Sequence, residues 1–185
     1  RELIAEATQA GEQVLVFTQF VRMADLLARD LSLALRTELP VLHGGMPARA
    51  RQRVVDRFQG DSDEPPPPVL IASLRAGGVG MNLTAATQVI HYDRWWNPAV
   101  EDQASDRAHR IGQTERVLIH RLVTMGTIEE RIDALLAEKR EIAEAVVGAG
   151  ETWITELDPD QILELVELSE TPSADGAALV GGGWR

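Results

Sequence analysis

The chain has 185 residues, of which 44% are apolar, enough for one domain with its own core and an appended helical segment. It holds no cysteine, which excludes a disulfide framework and a thiolate metal site. No apolar run approaches the roughly 20 residues that cross a bilayer, and no charged-then-apolar leader opens it. A reducing cytoplasm is the expected compartment. The net charge of −11 hides an asymmetry: residues 1–128 carry 14 basic and 15 acidic side chains, whereas residues 129–185 carry 4 and 14. A near-neutral first part is compatible with a local basic face, and the acidic end reads as a solvated helical surface.

Leu3, Ile4 and Ala7 begin the chain on one side of a helical pattern, as in a piece of a longer protein. Five short apolar runs follow: Val14–Phe17, Pro40–His43, Val69–Ala72, Gln88–Tyr92 and Val117–Val123. Between them lie helical spacings, Met23, Leu26, Leu27 and Leu31, then Val54, Val55 and Phe58. Strands alternating with helices predict an α/β fold, a parallel sheet covered on both faces. Functional loops are then expected at the carboxyl ends of strands, beginning here at Thr18, His43, Ser73 and Asp93. Asp61 to Pro68, with four consecutive prolines, reads as an extended spacer. Residues 127–147 predict a helix, and Leu157 to Leu168 a shorter one with Asp158 as N-cap; residues 171–185, rich in Gly and Ala, read as a disordered tail.

Three constellations carry chemistry. Asp102 to Gln113 follows Pro98 and predicts a helix closed by Gly112, with Gln103, Arg107 and Arg110 at i, i+4 and i+7 on one face. Two guanidinium forks and an amide at that spacing suit one anionic group, although a surface helix of Arg–carboxylate pairs has the same pattern. Ser73 to Leu83 places three glycines in four positions after a buried strand, where exposed amides are able to approach phosphate. It is neither a Walker A loop nor a full G-x-G-x-x-G, because no Gly-Lys-Ser/Thr follows and Leu83 stands at the third glycine. These residues alone therefore do not make a complete NTPase site. Asp93-Arg94-Trp95-Trp96-Asn97-Pro98 ends another strand, its tryptophans suited either to lidding the core or to resting against DNA. The four histidines lack ligand spacing, so no metal site is expected.

Together these blocks closely resemble the C-terminal RecA-like lobe of the SWI/SNF family, in helicase superfamily two. Val14–Phe20 is similar to motif IV, His43-Gly44-Gly45 with Arg51 and Phe58 to the next block, Ser73–Leu83 to motif V and Gln103–Gln113 to motif VI. The segment from Arg121 to Glu130 resembles the lead into a bracing helix, and the likeness runs from about residue 12 to about residue 168. It implies a RecA-like lobe over 1–126, a bracing helix and acidic extension over 127–170, and the tail beyond. By the same resemblance Arg107 and Arg110 are arginine fingers with Gln103 beside them, and Gly78, Gly80 and Asn82 lie near the nucleotide. Thr18, Gly44, Arg51, Ser73, Arg75 and Trp96 approach DNA. Pro47 departs from the basic or polar residue of many relatives. The implied cofactor is ATP with Mg2+ held by an N-terminal RecA-like lobe, and the implied partner is double-stranded DNA, gripped with little base specificity; strand separation is not implied. A bacterial, nucleoid-associated setting and a protein partner on the acidic extension complete the expectation. Two readings compete: a nucleic-acid-binding module without ATPase activity, and a nucleotide-binding oxidoreductase in which Asp93 holds a ribose.

Overall fold

The structure, a computed structural model, describes residues 1–73, 81–95, 98–110 and 113–134. The expected helix over Leu157 to Leu168, the rest of the helix predicted to reach residue 147, and the tail lie outside the described residues.

The five apolar runs all become strands: β1 Gln13–Thr18, β2 Val41–Leu42, β3 Val69–Ser73, β4 Ala86–His91 and β5 Leu118–Arg121. Around them pack α1 Glu2–Gln9, α2 Val21–Leu35, α3 Ala48–Gln59 and α4 Pro98–Ser105, and a helix labelled α5 runs over residues 128–134. Every strand pairing is parallel, in the order β2-β3-β1-β4-β5. The expected RecA-like α/β architecture is thus present, and its continuous buried runs are those of a sheet covered on both faces.

Strand periodicity divides the core in two. Leu15 and Phe17 of β1, Leu70 and Ala72 of β3 and Val89 of β4 face one side, with Val55 and Phe58 of α3 and Ala104 of α4. Their neighbours Val14, Val16, Val69, Ile71 and Ile90 face the other, under Ile4 and Ala7 of α1 and Ala24, Ala28 and Leu31 of α2. Alternate residues of one strand therefore serve opposite layers, so a one-residue slip would exchange the two cores.

Three glutamines close the amino edge of the sheet. Gln13 Nε2 donates to Phe58 O at 2.8 Å, joining β1 to the end of α3. Gln59 donates to Thr84 Oγ1 at 3.1 Å and accepts from Ala85 N at 2.8 Å. Gln113 Nε2 reaches Thr84 O at 2.7 Å, so the chain before β4 is held from two sides. α3 stops at Gly60, whose φ of 81° lies in the left-handed region that closes a helix without a Cβ penalty. The following spacer is irregular, as expected, and Arg57 ties it down through Pro65 O at 3.2 Å and Glu64 at 3.2 Å.

Phe58 is fully buried and Leu33 is 75% exposed. Phe58→Ala is expected to cost about 3–5 kcal/mol in denaturant unfolding, and Leu33→Ala to stay within about 0.5 kcal/mol. Equal effects would contradict the placement of the core.

Candidate functional site

The arginine block departs from the sequence reading. One helix through to Gly112 was expected, but α4 ends at Ser105 and the chain tightens: Arg107 N and Ala108 N bond three residues back, to Ala104 O at 3.2 Å and Ser105 O at 3.0 Å. The Arg107 carbonyl then turns outward to accept from Leu83 N at 2.8 Å. A tertiary bond thereby fastens this turn to the chain before β4. Gln103 is exposed on α4, Arg107 is half-buried in the next turn, and Arg110 is exposed beyond it. The i, i+4, i+7 face is consequently not a single helical face.

Convergence is achieved by the turn. Arg110 Nη1 donates to Asn82 Oδ1 at 2.6 Å, one residue from the Leu83–Arg107 bond, so motif VI is fastened to the end of motif V. Burial, and then the nearby charge of Arg110, lower the pKa of the Arg107 guanidinium from its ordinary value. Two guanidinium groups, one partly withdrawn from water, are thus brought together. The pair lies at the amino end of β4, whereas Thr18, Gly44 and Ser73 lie at the carboxyl ends of β1, β2 and β3.

At that carboxyl edge Thr18 and Ser73 are register partners on adjacent strands. The Thr18 side chain is fully buried and already engaged: its hydroxyl donates to Asp93 Oδ2 and accepts from Phe20 N at 3.3 Å. Ser73 is also buried, and its Oγ has no hydrogen-bond partner among the described residues. Gly44 is exposed in the β2–α3 turn, where Met46 N donates to His43 O at 3.1 Å, and Arg51 is half-buried in α3. Arg75, Gly78, Gly80 and Trp96 lie outside the described residues. Among the described residues no group of three or more His, Asp or Glu is placed to hold a metal ion.

Asp93 has another task than holding a ribose. Its second oxygen accepts from Gln19 N at 2.9 Å, so the carboxylate organises the β1–α2 loop from the end of β4. Desolvation raises its pKa against the Thr18 and Gln19 bonds. Each oxygen thus serves the β1–α2 loop, a structural task that the oxidoreductase reading did not foresee.

Sequence reasoning missed the group that assembles this edge. Glu101 of α4 is wholly buried and accepts from Trp95 N at 2.8 Å, Arg94 Nε at 3.0 Å, Arg94 Nη2 at 3.4 Å and Arg121 Nε at 3.1 Å. Arg94 also pairs with Asp133 of α5, while its backbone N–H donates to Glu129 Oε1 at 3.4 Å. Burial alone would raise the Glu101 carboxyl, but the Trp95 N–H, Arg94 and His91 outweigh it and hold it below the ordinary glutamate range. The available signal was positional: Glu101 stands three and seven residues before Ala104 and Ala108, a charge on the buried face of the block.

A parallel α/β lobe, with an arginine pair beside Asn82 at one edge and a glycine-containing strand-end turn at the other, has the architecture of a RecA-like lobe. The model of the helicase conserved C-terminal domain matches residues 1–112, and the chain belongs to that family, as the C-terminal lobe of its SWI2/SNF2 type. It is 41% identical to the Sulfolobus solfataricus SWI2/SNF2 ATPase core solved in complex with dsDNA, over 91% of this chain and 34% of that one, with a TM-score of 0.72. The Bacillus subtilis protein YwqA, which bears the name of an ATP-dependent helicase/translocase, is 44% identical over 92% of this chain and 18% of its own length. The human chromatin-remodeling ATPase INO80 is 41% identical over 89% of this chain and 10% of its own. The chain thus spans between a tenth and about a third of the length of these proteins.

His91 stacks on Phe17 with ring centroids 5.5 Å apart and meets Ser105 Oγ through Nε2 at 2.9 Å. Burial, against the opposing pull of Glu101 and with smaller contributions from Arg121 and Arg94, lowers its pKa to about 4. The unfolded chain therefore takes up a proton near pH 6.5 that the folded chain refuses. Its contribution is fully present above that pH and is lost as pH falls towards about 4. Thermal or denaturant melts from pH 7 to 5 are expected to show about 2 kcal/mol of loss in the wild type that is missing in His91→Gln. Parallel pH profiles for the two proteins would contradict a neutral buried imidazole.

Proposed function

We propose that this lobe closes onto ATP held by an N-terminal RecA-like lobe, supplies Arg107 and Arg110 to the phosphates, and grips the backbone of double-stranded DNA with its opposite edge. The observation that carries the reading is the convergence of Arg107, Arg110 and Asn82 at one end of β4. Bound between the lobes, ATP with Mg2+ would provide the phosphoryl chemistry. The metal belongs to the other lobe in this reading, because residues 1–185 contain no Walker A lysine block. Arg107 and Arg110 then place planar, permanently charged forks where negative charge develops, a contribution of about 10³ to 10⁵-fold in rate. Gln103 offers its amide from the exposed side of α4.

At the carboxyl edge, the Gly44 turn, Arg51 and the Ser73 hydroxyl, which has no partner among the described residues, form the DNA side, and Arg75 and Trp96 are assigned to it from the sequence. Thr18 takes part through the backbone shape that its bond to Asp93 fixes, since its hydroxyl is turned inward. Contacts of this kind read phosphate rather than bases, as translocation along any sequence requires. Support comes from the Sulfolobus relative, whose ATPase core was solved with dsDNA. A bacterial cytoplasmic motor, with a protein partner on its acidic extension, is the setting this reading implies.

In the two-lobe protein, Arg107→Lys or Arg110→Lys is expected to lower ATP turnover at saturating DNA at least about 100-fold while DNA affinity and melting midpoint change little, because lysine keeps the charge and loses the fork. Wild-type turnover in both variants would refute the finger assignment. The 185-residue chain alone is expected to show no DNA-stimulated phosphate release; robust release would mean that it holds a complete site.

A further inference from the structure

α4 is only eight residues long, about 12 Å of helix, yet it connects the two functional edges. At its first turn, Glu101 gathers the Arg94–Trp95 segment at the carboxyl end of β4 together with Arg121 at the end of β5. Beyond its last residue the chain runs directly into the turn whose Arg107 carbonyl and Arg110 side chain are fastened to Leu83 and Asn82. A second strut reinforces the first turn, for Ser105 Oγ donates to Glu101 O at 3.0 Å and meets His91 of β4. Glu101 is thereby bonded at once to the Arg94–Trp95 segment, to the end of β5 and, through its own backbone, to the last residue of α4.

We infer that Glu101 is a positioning residue for turnover: it ties the Trp95-bearing strand end to the arginine turn through α4, so that engagement of DNA at the carboxyl edge sets the placement of Arg107 and Arg110 at the amino edge. The inference rests on the proposed function above. Glu101 touches neither the proposed phosphate site nor the surface, and acts only through the groups it holds. Its carboxylate is divided between the two tasks. One oxygen takes the Trp95 amide and Arg94 Nε, and the other takes Arg121 Nε and Arg94 Nη2. Glu101→Gln keeps one carbonyl acceptor for the Trp95 amide and replaces the oxygen facing Arg121 with a donor, which loosens the joint while preserving side-chain volume.

The two-lobe protein carries the test, with ATP turnover measured without DNA and at saturating DNA, and DNA affinity measured separately. Glu101→Gln is expected to lower the DNA-stimulated rate about ten-fold while leaving unstimulated turnover and DNA affinity within about two-fold. Arg121→Gln, which leaves the Trp95 amide bond untouched, is expected to change the same ratio by a smaller factor, and it carries the test alone if Glu101→Gln does not fold. A merely structural role would reduce stimulated and unstimulated turnover in the same proportion, through a smaller folded fraction, and that outcome overturns the inference. So does full DNA stimulation in a folded variant. Absence of any DNA stimulation in the wild type would instead overturn the proposed function, so the two failures are distinguishable.

Discussion

A carboxylate with no exposed surface dictates much of the architecture at the carboxyl edge of this lobe. Placing Glu101 in the interior costs several kcal/mol unless its charge is compensated and its lone pairs are filled. Both conditions are met by chain elements far apart in sequence: the strand end at Arg94 and Trp95, the end of β5 at Arg121, and, through Arg94, the α5 residue Asp133. None of these segments is free to take another position without leaving a buried charge uncompensated. The network is therefore better understood as a specifier of geometry than as a source of net stability, since a well-packed apolar cluster would hold the same elements at no desolvation cost.

The parallel sheet then separates what the network aligns. Six residues of β1 or β4 span roughly 20 Å, so a site at the amino end of β4 and loops at the strand carboxyl ends cannot share a ligand. Any communication between them has to travel through packed elements. The sheet provides the rigid part, with its two cores locked by opposite strand faces, and the glutamines at the amino edge stop the chain before β4 from drifting. α4 is the element that belongs to both edges.

What the sequence made legible follows from locality. Five strands are readable because an apolar run of four to seven residues between polar helices has few other uses in a parallel sheet, and α2 and α3 are readable from Met23, Leu26, Leu27 and Leu31 and from Val54, Val55 and Phe58. The turn after α4 was not legible, since the Leu83 amide that holds its Arg107 carbonyl lies two dozen residues earlier in the chain. Thr18 was legible as a strand-end residue but not as an inward-turned hydroxyl, because its acceptor Asp93 lies on another strand end. Asp93 and Glu101 illustrate the general difficulty. Each reads as a surface acid in its own segment, and only assembly shows that one organises a loop and the other a buried junction.

On the proposed reading the arginine pair is where such an arrangement would serve chemistry. Holding two guanidinium groups near each other, one of them partly desolvated, is unfavourable by itself, as the lowered Arg107 pKa records. A fold that fixes them there through backbone and amide bonds meets that cost at folding instead of at reaction, which is the condition for electrostatic preorganisation. Asn82 is a suitable partner for this purpose because its neutral amide orients Arg110 without cancelling its charge. A carboxylate in its place would bind the guanidinium more tightly and leave less field for an incoming phosphate. On the proposed reading the lobe therefore arrives at the nucleotide with its cations already oriented, and lobe closure has only to bring them within reach.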